Sequence, residues 1–497
     1  MKIASSFLYD LVHKLSKSEK RYIKVQHRNG EKDYLALMDA LLTQKNFDDN
    51  KLIKDYKGAN FIKNLPVNKR YLYEILLKTL THFGEKTIED QVFAKISATN
   101  VLIDKTLYKA AYKELKKGLK LAEKYELFEL QIMLLGIEKR IRSMRQFKFN
   151  SKNDNSELIY KTEKTCLDQL LNTNDYWYLN NQISQFQMKY QKIQTEEQKF
   201  YIHNIINSPK LKNENLATNI KSKIFFYQAN ATNQFMLGNT SQAYEFNKQF
   251  LDFLESKPNF LKLYAERYLA TLNNLLIDSF GMGKYDKLEQ GINRLELIPK
   301  RAEFKAIKNI ESNVFRQKYL LLLNWCLSQH DYQKAVELIP QIDTGLKQFE
   351  KTIEKHHRIT FYYLCAYISF INKDYQEALK WNSNIIYDSK EDVVKEIFYF
   401  SRILNLIIHY ELENYRLLDS LLLSTPKYLK ARREVYLTEK ALFSFLRKLI
   451  NSIDKKEKEK HFNKFELDLN RLFENSNEKR VFSYLDLRIW VDFHLQH

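Results

Sequence analysis

Few residue groups in this chain could carry out a reaction, and they are scattered. A phosphate-binding loop needs glycines that let the backbone approach the phosphate. Gly281-Met282-Gly283 continues as Lys284-Tyr285-Asp286, with no third glycine and no preceding strand, so it reads as an interhelical turn. Zinc needs converging thiolate or imidazole ligands, and no CxxC or HExxH occurs. His356 and His357 are adjacent, which on a helix points them about 100 degrees apart, onto a solvated face. Cys166, Cys326 and Cys365 each fall inside an apolar helical stretch, where a thiol is a small core residue and not a nucleophile. Carboxylate pairs occur, as 61 acidic residues on helices produce by chance. This inventory points to a chain that is not an enzyme, with no metal and no cofactor.

A second chemistry is phosphate contact. The net charge is +19, and the most basic local run, Lys139-Arg140-Ile141-Arg142-Ser143-Met144-Arg145-Gln146-Phe147-Lys148-Phe149, interleaves cations with aromatics as a phosphate-and-stacking surface does. The same run also reads as a helix with Ile141, Met144 and Phe147 turned inward and its cations in water. Near the N-terminus, Leu65-Pro66-Val67-Asn68 precedes a helix over 69–83 whose first residues include Lys69 and Arg70. Short helices before it leave two readings, a helix-turn-helix module or a helical cap. The spacing of a tight helix-turn-helix is missing, which favours the cap.

Those residues are positioned by helices. Residues 358–388, RITFYYLCAYISFINKDYQEALKWNSNIIYD, hold two apolar helical patterns on either side of Asn372-Lys373-Asp374. Tyr362, Cys365, Ala366 and Ser369 form a narrow stripe on the first, and Asp374 with Glu377 three residues on predicts the N-cap of the second. Variants of this turn recur: His330-Asp331-Tyr332 with Ala335, Gly283-Lys284-Tyr285 with Leu288, Gly238-Asn239-Thr240 with Ala243, Glu413-Asn414-Tyr415 with Leu418, and more loosely Thr106-Leu107-Tyr108 with Ala111. The unit resembles the tetratricopeptide repeat. From Thr240 onward the copies lie roughly 40 to 47 residues apart, longer than the standard repeat of about 34.

That resemblance implies an all-α fold, a right-handed superhelical solenoid of antiparallel helix hairpins closed by N-terminal and C-terminal helical caps. Scarce glycine and proline agree with a chain of few linkers. The expected organisation is a helical cap or small module over 1–90, degenerate hairpins over 91–222, clear repeats over 223–438 and a cap over 439–497. Helices are expected over 5–26 and 33–44, a turn at Asn172-Thr173-Asn174-Asp175, a break at Ser208-Pro209, and helix punctuation at Pro258, Pro299, Pro340 and Pro426. The apolar runs are too short to cross a bilayer, the N-terminus lacks a signal-peptide pattern, and three widely spaced cysteines suit a reducing compartment. A cytoplasmic chain without membrane contact is expected. Val481, Phe482, Leu485, Ile489, Trp490 and Phe493 form a last apolar helix, read either as a cap or as a homodimer contact.

The repeat family implies a function in binding: the first helix of each pair lines a concave groove that holds a peptide or protein partner. Matching the turns places Gln228, Asn273, Asn324, Tyr363 and Tyr367 in that groove. The rival expectation is a nucleic-acid-associated regulator, with Lys69, Arg70, Lys139, Arg140, Arg142, Arg145 and Lys148 on DNA or RNA and the repeats as a sensor. Its layout resembles bacterial regulators that join a small DNA-binding module to peptide-sensing repeats.

Overall fold

All six turns picked out above carry, in the computed structural model, one residue in the left-handed region: Thr106 (φ 59°), Gly238 (79°), Gly283 (66°), His330 (56°), Lys373 (63°) and Glu413 (57°). Glu126 (φ 52°) adds a seventh that the sequence comparison did not find. In each, the next residue's N–H donates to the carbonyl five residues back: Leu107 to Leu102, Leu127 to Ala122, Asn239 to Gln234, Lys284 to Ser279, Asp331 to Cys326, Asp374 to Ser369 and Asn414 to His409, all at 2.9–3.0 Å. This bond closes a helix by satisfying one of its orphan carbonyls. At two turns the same residue also opens the next helix, with Asp331 Oδ1 accepting from Lys334 N and Asp374 Oδ1 from Glu377 N, each at 3.1 Å. Ala111, Ala243, Leu288, Ala335, Ala378 and Leu418 are all fully buried beneath their turns.

A β-branched residue pays most for a left-handed backbone, because its Cβ crowds the following carbonyl. Thr106→Gly is therefore expected to stabilise the fold by about 0.5–1 kcal/mol after the entropy glycine loses on folding. An unchanged or lower thermal midpoint would contradict this.

Residues 5–27, 32–81, 83, 87–144, 156–190, 195–387, 394–475 and 478–495 are described; among them every regular element is a helix and none is a strand. The chain divides into two units, Met1–Asp168 and Gln169–His497. Unit one begins with α1 (Ser5–Lys14), α2 (Lys17–Gln26), α3 (Lys32–Thr43), α4 (Asp49–Asp55), α5 (Asn60–Lys63) and α6 (Leu65–Leu80) around a core that includes Leu8, Val12, Ile23, Leu37, Leu72 and Leu76. The single helix expected over 5–26 is two. Ser16 breaks it with a reciprocal cap, its hydroxyl accepting from Glu19 N while Ser16 N donates to the Glu19 carboxylate. A separate core holds α7 (Ile88–Asp104), α8 (Tyr108–Lys124) and α9 (Phe128–Ser143).

The boundary between the units falls inside α10 (Ser156–Tyr190), 35 residues long. The turn expected at 172–175 lies within this continuous helix. Its polar residues clamp the segment 216–218: Asn172 Nδ2 donates to Leu216 O at 2.8 Å, and its Oδ1 accepts from Thr218 N at 3.2 Å.

Unit two continues with α11 (Glu196–Ile206), α12 (Pro209–Lys212), α13 (Ile220–Met236), α14 (Thr240–Glu255), α15 (Pro258–Leu261), α16 (Ala265–Gly281), α17 (Tyr285–Leu297), α18 (Ile310–Ser328) and α19 (Tyr332–Gln348). The C-terminal part comprises α20 (Lys355–Ile371), α21 (Tyr375–Ile386), α22 (Lys395–Glu411), α23 (Tyr415–Lys430), α24 (Leu437–Asn451), α25 (Lys455–Phe473), α26 (Lys479–Tyr484) and α27 (Leu487–Leu495). The break at Ser208-Pro209 separates α11 from α12, and Pro258 opens α15. Pro340 and Pro426 do not punctuate: both lie inside helices, α19 and α23.

Between α14 and α16 the carboxyl of Asp278 is buried, with the Asn247 amide donating to it at 2.8 Å. Burial pushes its pKa up from 3.8 to about 6. A raised folded-state pKa means that native protein holds this proton more tightly than unfolded chain. The contribution is full below pH 4 and is lost as pH rises through about 6. Asp278→Asn is expected to stabilise the protein by about 2 kcal/mol at pH 8, with the gain fading toward pH 4. Unfolding midpoints that differ equally at both pH values would contradict it.

Candidate functional site

Tyr363 and Tyr367 stand four residues apart on one face of α20, with near-parallel rings 6.5 Å apart at 13°. Their hydroxyls hold a stretch of main chain. Tyr363 Oη donates to the carbonyl of Tyr484 at 2.9 Å, and Asp486 N–H donates to Tyr367 Oη at 3.3 Å. Between these two residues Leu485 is extended, φ −144° and ψ 97°. The match is geometric: four residues of helix rise about 6 Å, and two residues of extended chain advance about 6.6 Å. Burial raises the pKa of both hydroxyls well above the usual tyrosine range, so they remain protonated and act as hydrogen-bonding groups.

The held segment is fixed on both sides. Before it, the Glu478 carboxylate accepts from Leu437 N and Thr438 N, both at 3.0 Å, and from Thr438 Oγ1 at 2.7 Å, capping α24. Within it, Tyr484 stacks on Phe400 at 4.7 Å and 11°, while Arg488 grips the Asp486 carboxylate at 2.9 and 2.6 Å. After it, Trp490 Nε1 donates to Glu411 at 2.6 Å, and His494 Nε2 lies 2.8 Å from the same oxygen. Val481, Leu485 and Trp490 are buried in their own unit, and Ile489 and Phe493 are half-buried.

Beside the segment lies a cavity of about 560 Å³, walled by α18, α20, the start of α22 and residues 482–489. Its volume is in the range of ligand pockets. Asn324, Tyr363 and Tyr367, expected in the groove, come together here. Asn324 is exposed and bonds its own helix at Leu320 O, 2.6 Å. Gln228 and Asn273 lie elsewhere, on α13 and α16; both are half-buried, and Gln228 accepts from Arg267 at 2.8 Å. Tyr484, Asp486 and Arg488 were missed, because main-chain contacts leave no mark on residue type. The apolar spacing around Trp490 was their only signal.

The basic candidates are largely bound within the chain. Lys69 is buried, ion-paired to Asp49 and 5.2 Å from the Phe47 ring. Arg70 faces Glu74 at 3.8 Å, Lys139 pairs with Glu163, and Arg140 donates to Asn100. Arg142 is held 2.9 Å from the buried Glu138, which Lys116 also meets at 3.0 Å. Arg145 and Lys148 lie outside the described residues.

All three cysteines are free and buried, and burial raises the thiol pKa of each, which disfavours the nucleophilic thiolate. His356 and His357 do not diverge onto a solvated face. Both are half-buried with ring centroids 3.8 Å apart, and with Glu354 they form the one metal-capable cluster of three found among the described residues. Arg316 Nη1 sits 2.8 Å from His357 Nε2, and burial followed by this guanidinium pushes the His357 pKa down to about 4. A cation there opposes a metal. Among the described residues, no helix is long and apolar enough to cross a membrane. Comparison of the chain with family models, curated proteins and solved structures gave no match.

Proposed function

We propose that this chain is a non-enzymatic scaffold or adaptor, a solenoid of long tetratricopeptide-like hairpins stacked as a right-handed superhelix whose concave surface holds a peptide or protein partner. The observation that carries the reading is the pair Tyr363 and Tyr367, which already holds an extended polypeptide by its main-chain carbonyl and N–H. A surface that binds backbone in this way accepts a strand of varied sequence, and side-chain pockets add selectivity. The cavity beside residues 484–486 is where a partner's segment would extend that contact. The same reading places the chain in the cytoplasm, where its three free thiols would stay reduced.

The test is affinity purification of the full chain from its native cell, with and without nuclease, beside a Thr360→Trp variant that fills the cavity. A defined protein partner that survives nuclease and is lost from Thr360→Trp is the expected result. Recovery of nucleic acid, abolished by nuclease and weakened by Arg140→Ala, would overturn it in favour of the regulator.

A further inference from the structure

A second site lies on other helices of unit two. A cleft of about 650 Å³ runs between α11 and the α13–α14 turn, with Phe200, Ile202 and Ile206 on one side and Asn233, Leu237 and Gln242 on the other. Asn233 is 1% exposed, and among the described residues neither its side-chain nitrogen nor its oxygen has a hydrogen-bond partner. A buried carboxamide left unpaired on both atoms carries an uncompensated desolvation cost, so such a residue calls for an explanation. Four other polar groups at the cleft engage one another: Asn239 donates to Gln234 at 2.9 Å, and Lys199 pairs with Glu196 at 2.7 Å. Phe200 is 68% exposed, and Leu237 is also exposed, leaving apolar surface at the rim.

We propose that this cleft binds an extended polypeptide segment of a partner protein, with the Asn233 carboxamide pairing to the N–H and C=O of one residue and an apolar side chain of that partner seated against Phe200 and Leu237. In an extended chain both main-chain groups of a residue point to the same side, so one carboxamide, a donor and an acceptor in one plane, completes both bonds. Charge argues for the same occupant. The one lysine lining the cleft pairs with Glu196, which lines it too, so apart from His203 the lining offers a phosphate-bearing ligand little net positive charge. The site shares no residue with the cavity beside Tyr363 and Tyr367, and the two stand or fall separately.

The probe is a library of random 12-residue peptides displayed on phage and panned on the immobilised full chain, with enriched sequences then titrated as labelled synthetic peptides. Expected are peptides with an apolar residue in an uncharged stretch, bound about tenfold or more weakly by Asn233→Ala and by Phe200→Ser, and unchanged by Thr360→Trp. Phe200 is exposed, so its replacement keeps the fold and tests the site even if Asn233→Ala does not. No enrichment over protein-free support would overturn the proposal. So would peptides whose affinity both variants leave intact. Peptides weakened by Thr360→Trp alone would sink this cleft while supporting the proposed function.

Discussion

Trp490→Ala is expected to destabilise unit two by about 3–5 kcal/mol, the cost of emptying a large, fully buried aromatic site. The indole is 1% exposed and meets Tyr410, Phe445 and Phe462 edge-on at 5.7–5.9 Å. Its Nε1 also donates to Glu411, whose carboxylate the variant leaves with His494 and Tyr375. Trp490→Phe separates the two contributions: it keeps most of the ring volume and loses the donor, so about 1 kcal/mol is expected. Urea unfolding followed by far-ultraviolet circular dichroism reads both. A loss below about 1 kcal/mol for the alanine variant would mean that α27 is not seated on α22.

Arg142→Ala is expected to cost unit one about 2–4 kcal/mol, because it leaves the Glu138 carboxylate, 1% exposed, with Lys116 and Tyr112 alone. Removing both charges tests the cause. Arg142→Met combined with Glu138→Leu takes away the pair and the orphan together and should return stability to within about 1 kcal/mol of the original. A double variant as unstable as Arg142→Ala would show that packing by the guanidinium stem, and not the stranded carboxylate, is responsible. The result bears on function as well. Loss of nucleic-acid binding in Arg142→Ala would report damage to the fold, whereas Arg140, on the exposed side of α9, reports contact.

The turns were legible because a left-handed residue followed by a capping position imposes short polar stretches at a fixed offset from a buried alanine or leucine. Glu126 escaped notice because Gln131 stands where the other turns have alanine or leucine, and Phe128 where five have tyrosine and one threonine. The failure at 172–175 has a different origin. Asparagine, threonine and aspartate favour turns when they bond locally, and here Asn172 bonds residues more than forty positions away, freeing the helix to continue. Of the five groove residues, helical spacing brought Tyr363 and Tyr367 together, since four residues apart on a helix is a local property. What they touch is set by a segment far along the chain, and periodicity carries no information about that.

That separation has a consequence in time. Tyr363 and Tyr484 are 121 residues apart, whereas most helices pack against their immediate neighbours in the sequence. At a synthesis rate of about 5–20 residues per second, the aromatic face of α20 waits on the order of ten seconds for its cover. During that interval two stacked tyrosines that bind extended backbone are open to whatever chain is nearby, another nascent copy included. Synthesis thus leaves this face uncovered for a time, and a chaperone that shields α20 and α22 until the segment around Tyr484 arrives would protect it then.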